Sequence, residues 1–148
     1  MIFDYLKDVL SGEIMDLKPA PIPTEPVDFE MVTLDRTEKD NSKWLSYITA
    51  ALAGAKTFEI HCWNEEHEWI ELALRYGKRK DDDWRHGKII IGDVTPEFTQ
   101  MLLEFPKPSD IEIYNKMTPF FNVFLDDEFQ SCHYGTELYL IKRERQKI

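Results

Sequence analysis

The densest group of side chains suited to chemistry lies between Glu59 and Trp69, in the sequence EIHCWNEEHEW. These eleven residues include two histidines, one cysteine, four glutamates and two tryptophans. Histidine and cysteine are common zinc ligands, histidine beside a carboxylate is a common acid–base pair, and tryptophan is a frequent anchor at protein interfaces. The segment therefore suits a metal centre, a catalytic centre or a protein-binding surface.

The spacing does not match a metal centre. The stretch HEWIE, 67–71, begins like the helical HExxH motif, but Glu71 stands where the second histidine is required. The sequence has no CxxC pair to hold a structural zinc. The acidic runs at 81–83 and 126–128 lack the spacing and the glycine of an EF-hand loop. We predict no metal ligand and no cofactor.

Motifs for nucleophilic catalysis are also missing. Cys132 and His133 are adjacent, and neighbours in a strand point to opposite faces, whereas a catalytic Cys–His pair meets from separate segments. The sequence has no GxSxG elbow, phosphate-binding loop or dinucleotide fingerprint. We therefore assign no catalytic residue. A small hydrolase that uses His61, His67 and nearby carboxylates stays as an alternative.

The charge balance favours a basic protein as the partner. The chain has 18 basic and 28 acidic residues, a net charge of −10. From residue 25 to residue 71, eleven acids stand against four bases, a local net charge of −7. Such a surface repels a phosphate backbone, so we predict no nucleic-acid binding. Solubility is the alternative explanation for the acidity.

Hydropathy and cysteine content indicate a cytoplasmic protein without a membrane span. No apolar run is long enough to cross a bilayer, and the N-terminus lacks the basic start of a secretory signal. Two cysteines are too few for a disulfide scaffold. We expect Cys62 and Cys132 to be reduced, and a disulfide between them stays open.

The pattern divides the chain into an N-terminal arm, 1–27, and a single α+β domain, 28–148. Residues 2–10 have helical apolar spacing, and four prolines between 19 and 26 favour an extended connector. A structural subunit is a third interpretation of the protein, in which this arm reaches a neighbouring protomer and produces an oligomer.

The domain is predicted to be a mainly antiparallel sheet with two helices packed on one face. One helix spans 42–54 with Asn41 or Ser42 as its cap, and a second spans 96–105 with Thr95 as its cap and Pro96 at its first position. Strands are predicted at 28–35, 57–63, 68–76, 88–93, 110–114, 120–125 and 136–142.

The segment 68–76 fits two structures. Its apolar residues alternate as in a strand, but Trp69, Ile70, Ala73 and Leu74 also have helical spacing. We prefer a hairpin that turns at 64–66. With that choice both halves of the domain have the order helix, strand, strand, strand. Duplicated halves are therefore a hypothesis, and a coincidence of short elements is the alternative.

The partner-binding surface is predicted on the sheet face that the helices leave open. In 57–63 the side chains of Phe58, Ile60 and Cys62 point towards the core, and the alternate side chains point away. The predicted partner-binding residues are Glu59, His61, Trp63, Glu65, Glu66, Trp69 and Glu71. The predicted function is a small acidic binding protein, an inhibitor of the immunity type with which bacteria mask the basic site of a nuclease toxin.

Overall fold

The computed structural model describes residues 28–34, 37–81, 83–109 and 115–142. The predicted N-terminal helix, the proline-rich arm with its proposed role in oligomerisation, and the predicted strand at 110–114 lie outside these residues. Within them the chain forms an antiparallel sheet with helices packed against it. The predicted α+β class is confirmed.

Ten elements make up the described part of the chain. In chain order they are β1 (Asp28–Thr33), α1 (Ser42–Leu52), β2 (Thr57–Trp63), α2 (His67–Leu74), β3 (Lys78–Arg79), β4 (Gly87–Asp93), α3 (Pro96–Leu103), β5 (Asn122–Leu125), β6 (Phe129–Cys132) and β7 (Glu137–Lys142). The strands form one sheet in the order β1-β7-β6-β5-β2-β4-β3. In this sheet β2 lies in the interior, and β1 and β3 are the two edges.

The helices cover one face of the sheet, as predicted. The side chains of Phe58, Ile60 and Cys62 point from β2 into a core that all three helices share. Helical spacing provides the apolar stripes on α1 and α3. The helix residues buried in this core are Trp44, Ile48 and Leu52 on α1, Ala73 on α2, and Phe98, Met101 and Leu102 on α3.

Residues 67–74 form a helix, so the predicted strand over 68–76 is wrong. Both edges of β2 are already occupied, by β4 on one side and β5 on the other, and no hairpin partner fits between them. Trp69, Ile70 and Ala73 instead share the inward side of α2 and pack against the core. The occupied edges of β2 therefore decided between the strand and the helix that the spacing of these residues allowed.

Two short strands were not predicted, and they change the comparison of the two halves. β3 lies between the predicted strands at 68–76 and 88–93, and β6 lies between those at 120–125 and 136–142. Among the described residues, the first half has the order helix, strand, helix, strand, strand, and the second has helix, strand, strand, strand. Within the described ranges, the order of elements therefore differs between the two halves.

The predicted helix caps have different outcomes. Thr95 caps α3 as expected, because its hydroxyl oxygen accepts a hydrogen bond from the Phe98 N–H at 3.0 Å. Asn41 stands at the N-cap of α1 but makes no capping bond with its side chain. Its amide group instead donates to the carbonyl oxygens of Phe105 and Met117. Asn41 therefore joins the start of α1 to two distant segments.

Candidate functional site

The chain from Glu59 to Trp69 is divided between the two sides of the sheet. β2 directs Glu59, His61 and Trp63 to the face opposite the helices. The chain then turns into α2, which packs against the other face and carries Trp69 and Glu71. The predicted partner-binding residues therefore do not form one continuous surface.

His61 and Trp63 are buried, so the exposure expected of them is wrong. Their exposed fractions are 0% and 1%. Alternation within β2 distinguishes its two faces but does not show whether a distant loop covers one of them. Here Trp84, Phe121 and Tyr134, which all come from outside the regular strands, cover the second face.

These side chains form an aromatic cluster, defined as Trp63, Trp84, Phe121 and Tyr134. The ring of Trp63 lies 4.9 Å from that of Phe121 and 5.4 Å from that of Trp84, measured between centroids. Phe121 and Tyr134 meet nearly edge-to-face at 5.2 Å. Such pairs add to the free energy of burial. The aromatic cluster is therefore a second core, and Trp63 is not an exposed anchor.

A hydrogen-bonded histidine lies beside this cluster. The Nε2 atom of His61 is 2.6 Å from a carboxylate oxygen of Glu59, and the Asn122 amide nitrogen is 3.0 Å from His61 Nδ1. The Asn122 oxygen accepts a hydrogen bond from the His133 N–H, which orients the amide. Since the amide nitrogen only donates, Nδ1 accepts and the ring proton lies on Nε2. The network therefore selects one tautomer of His61.

Glu59 is held inward by two partners. Burial by itself raises the pKa of Glu59, but the hydrogen bond from His61 and the electrostatic attraction of His61 and Lys80 outweigh burial and leave that pKa below its usual 4.5. The ammonium of Lys80 lies 3.7 Å from the second carboxylate oxygen. Glu59 is therefore ionised and already engaged within the protein.

A second histidine–carboxylate pair lies on the same face, on the far side of Asn122. His133 Nδ1 is 3.1 Å from a carboxylate oxygen of Glu137. The nearby His133 side chain lowers the pKa of Glu137 more than burial raises it. Asn122 thus connects β2, through His61, to the turn between β6 and β7, through His133. This arrangement stabilises the contact between distant parts of the sheet.

The turn after β6 has an uncommon backbone conformation. His133, Tyr134 and Gly135 have positive φ angles of 53°, 61° and 84°. This conformation costs a non-glycine residue about 1 kcal/mol or more. A side chain at Gly135 would also come within 2.7 Å of the Trp44 ring. The strained turn places the Tyr134 ring in the aromatic cluster.

Glu66 anchors this turn to the start of α2. One of its carboxylate oxygens accepts the Trp63 N–H at 2.8 Å, and the other accepts the Tyr134 hydroxyl at 3.0 Å. Burial raises the pKa of Glu66, although these hydrogen bonds oppose the change. The predicted partner-binding residue Glu66 therefore has an internal role.

The two cysteines are unreactive thiols on opposite faces of the sheet. Cys62 belongs to the core under the helices, whereas Cys132 lies in register with Glu137 on the other face. Both are free and buried. Burial, reinforced by the charge of Glu137, raises the pKa of Cys132 to about 12, and burial also raises that of Cys62. Neither cysteine is a thiolate near neutral pH.

The chemical alternatives gain no support from this arrangement. His61 is fully buried with both ring nitrogens engaged, and the exposed His67 lies on the opposite side of the sheet. Across the described ranges, no three residues of the types His, Cys, Asp and Glu are grouped to hold a metal ion. The network is suited to structural stabilisation.

Exposed acidic side chains lie on and beside α2. Glu65, Glu68 and Glu71 are exposed, and we call them the acidic α2 surface. Within the described part of the chain, none of the three carboxylates accepts a hydrogen bond or forms an ion pair. Leu74, at the end of the same helix, is 41% exposed. Of the predicted partner-binding residues, only Glu65 and Glu71 belong to this surface.

Several important residues were missed from sequence. Glu68 was not among the predicted partner-binding residues, whereas helical spacing places it beside Glu71. That spacing was the available signal. Asn122 and Trp84 had no local signal, because their partners are distant in sequence.

No described helix has both the length and the apolar character that a membrane crossing demands. Comparison of the chain with protein-family models, curated proteins and solved structures finds no match. The candidate function therefore depends on the surface chemistry of this chain alone.

Proposed function

We propose that this protein is a small binding module that engages a basic protein partner through the acidic α2 surface. The observation that carries the proposal is the presence there of three exposed carboxylates, Glu65, Glu68 and Glu71, with no internal ion-pair partner. An internal role accounts for Glu59 and Glu66, which are engaged within the fold. No internal contact of this kind accounts for Glu65, Glu68 and Glu71.

The position of the charges on α2 favours an external role. Glu68 lies in the first turn, where a carboxylate interacts favourably with the helix dipole. Glu71 lies beyond that turn and is a helical neighbour of Glu68, so their repulsion costs a few tenths of a kcal/mol. Basic groups on a partner would remove that repulsion on binding.

Leu74 gives the surface an apolar contact beside the charges. It is one of the large hydrophobic side chains that the described chain exposes. An interface combines apolar contact area with charge complementarity, and the charges mainly accelerate association. A net charge of −10 adds long-range attraction towards a basic partner.

The most specific form of the proposal is an immunity-type inhibitor, a bacterial protein that masks the basic site of a nuclease toxin. A nuclease must attract phosphate groups, so its substrate groove is basic. Carboxylates at the spacing of Glu65, Glu68 and Glu71 would compete with those phosphates. We place this activity in the cytoplasm, because Cys62 and Cys132 are free and face opposite sides of the sheet.

The proposal is tested by affinity capture with a charge-matched control. Wild-type protein, a variant with Glu65, Glu68 and Glu71 changed to Lys, and a control with Glu97, Glu104 and Glu128 changed to Lys are used to capture proteins from host lysate. The control changes the net charge equally at exposed acids elsewhere. Capture is carried out at low and high salt.

We expect wild type and control to retain the same basic protein at low salt, and the α2 variant to lose it. High salt should weaken retention, because exposed charges are screened. Equal retention by the α2 variant and the control would contradict the proposed surface.

A further inference from the structure

The two edges of the sheet differ in their protection against pairing with another strand. β3 has only two residues, Lys78 and Arg79, and Lys80 follows them. Short length and basic side chains are the usual means of protecting a sheet edge. β1 has six residues, no lysine or proline, and a continuous register with β7. Among the described residues, the β1 edge is therefore the one that is open to strand addition.

The β1 edge also exposes apolar side chains. Phe29 is 51% exposed and Met31 is 55% exposed. Both alternate with Val32 and Leu34, which pack towards the helices, so they lie on the opposite face of the sheet. Exposed aromatic and apolar side chains on an open edge are typical of strands that pair with another chain.

The backbone hydrogen bonds show which residues of β1 face outward. The Leu34 N–H donates to the Thr136 carbonyl at 2.7 Å, so Leu34 is directed towards β7. In an antiparallel ladder this direction alternates along the strand. Phe29, Met31 and Thr33 therefore direct their N–H and C=O groups away from β7. Within the described residues no strand lies on that side.

We propose that β1 pairs with β1 of a second copy of this chain, antiparallel and about a two-fold axis through Met31. Met31 of one copy then pairs with Met31 of the other, and Phe29 of each copy pairs with Thr33 of the other. All these residues are outward-directed, so each facing pair exchanges two backbone hydrogen bonds. The two sheets become continuous, and the exposed side chains of Phe29 and Met31 are partly covered.

The charges of β1 select this register over its neighbours. In it, Glu30 faces Val32 of the other copy. A shift that centres the axis on Glu30 places two carboxylates directly opposite, which is unfavourable. A shift that centres it on Val32 shortens the overlap to 30–34. Met31 is therefore the centre that combines the longest pairing with no directly opposed like charges.

A second copy is favoured over a head-to-tail contact with the β3 edge. A β1–β3 contact has opposite charges but only the two residues of β3 to pair with, and it forms an open chain of molecules. The β1–β1 contact closes as a dimer. It lies at the opposite end of the sheet from β2 and β4, the strands that α2 contacts, so it is independent of the proposed function.

Dimerisation and binding of the basic partner should depend on salt concentration in opposite ways. Two chains of like net charge −10 repel each other, and the two Glu30 carboxylates become diagonal neighbours across the axis. Salt screens both repulsions. Dimerisation should therefore strengthen as salt rises, whereas binding of a basic partner should weaken.

Sedimentation equilibrium of the full chain over a range of concentrations, at low and high salt, tests this proposal. Met31→Pro removes an outward N–H at a position where an edge strand tolerates proline, and Met31→Lys adds a charge at the axis. Arg79→Pro and Leu74→Lys are matched controls, because Arg79 is the corresponding outward residue of the β3 edge and Leu74 is an exposed hydrophobic residue on α2. Circular dichroism verifies that each variant is folded.

We expect a reversible dimer whose dissociation constant rises at least about tenfold in either Met31 variant and changes little in the controls. If Met31→Pro does not fold, Met31→Lys alone decides the outcome. A chain that is monomeric at every concentration and salt level would overturn the proposal. A dimer that persists unchanged in the folded Met31 variants would also overturn it.

Discussion

Asn122 is the residue on which the buried polar network depends. Its amide nitrogen donates to His61 and its oxygen accepts from the His133 backbone, and it is only 4% exposed. Buried groups that lose a hydrogen-bond partner pay the cost of desolvation without compensation. The main effect of the network on stability is therefore the free-energy cost of removing one of its members.

Asn122→Ala should lower the free energy of unfolding by about 2 kcal/mol, because it leaves His61 Nδ1 and the His133 N–H without this partner. Asn64→Ala is the matched control. Asn64 donates to the Arg85 carbonyl in an exposed bond and accepts from Lys88 in a partly buried one, and water can reach both sites. Asn64→Ala should therefore lower the free energy of unfolding by less than about 1 kcal/mol. Equal losses in urea denaturation would contradict a structural role for Asn122.

The two histidine–carboxylate pairs predict how stability depends on pH. The folded-state pKa values of Glu59 and Glu137 lie below the usual 4.5. Their contribution is therefore present above about pH 4.5 and is lost as pH falls through the folded pKa values. Glu59→Gln should reduce the rise in unfolding free energy with pH over this acid range.

Glu66 is a control, because its contribution to stability should change with pH in the opposite direction to those of Glu59 and Glu137. Its pKa is raised in the folded protein, so the folded state binds more protons above pH 4.5 and loses stability as pH rises. Glu66→Gln should remove this opposing contribution and make the net rise with pH steeper. Urea denaturation of both variants at several pH values checks the two slopes. Parallel changes in the two variants would contradict the assigned directions.

Among the elements, α2 determines which surface the protein presents. As a strand, 68–76 would have aligned Trp69 and Glu71 on one face. As a helix, it turns Trp69 inward, where its ring meets those of Phe105 and Phe120 at 5.4 and 5.9 Å, and leaves Glu68 and Glu71 outside. The change of element therefore replaces a mixed aromatic and acidic site with an acidic one.

Trp69→Ala should lower the free energy of unfolding by about 3 kcal/mol, because a large side chain is removed from a packed position. Glu68→Ala, one residue earlier on the exposed side, should change it by less than about 0.5 kcal/mol. Thermal or urea unfolding measures both. A small effect at Trp69 together with a large one at Glu68 would indicate that α2 has the opposite orientation.

The sequence predicted elements well where their signal is local. The stripe on α1, the Thr95 cap with Pro96, and the alternation in β2 all depend on residues within a turn or two of each other. The helix α2 was not predicted, because its eight residues fit both the helical and the strand periodicity. The structure that forms depends on β4 and β5, which occupy both edges of β2.

The candidate site was harder to predict than the fold. Burial of His61 and Trp63 depends on Trp84 and Tyr134, which lie in a loop and a turn far along the chain. Their positions depend on contacts of the completed fold. Alternation within β2 identified the face of the sheet correctly but could not identify what covers it.

Across the whole molecule, the acidic α2 surface and the β1 edge lie far apart. Within the described residues β1 is an unpaired edge, β3 is the short basic edge, and the acidic α2 surface lies over β2 and β4 near the β3 end. Dimerisation through β1 would leave both α2 surfaces accessible. The two proposed contacts are therefore compatible, and one dimer could engage two partner molecules.

The most direct test of the account is the association rate between this protein and the captured basic partner, measured by stopped flow over a range of ionic strength. We predict a rate for wild type that falls steeply as salt rises, and a slower rate with a flatter salt dependence for the variant with Glu65, Glu68 and Glu71 changed to Lys. The charge-matched control with Glu97, Glu104 and Glu128 changed to Lys should stay closer to wild type. The same rates and slopes for the α2 variant and the control would contradict binding through the acidic α2 surface.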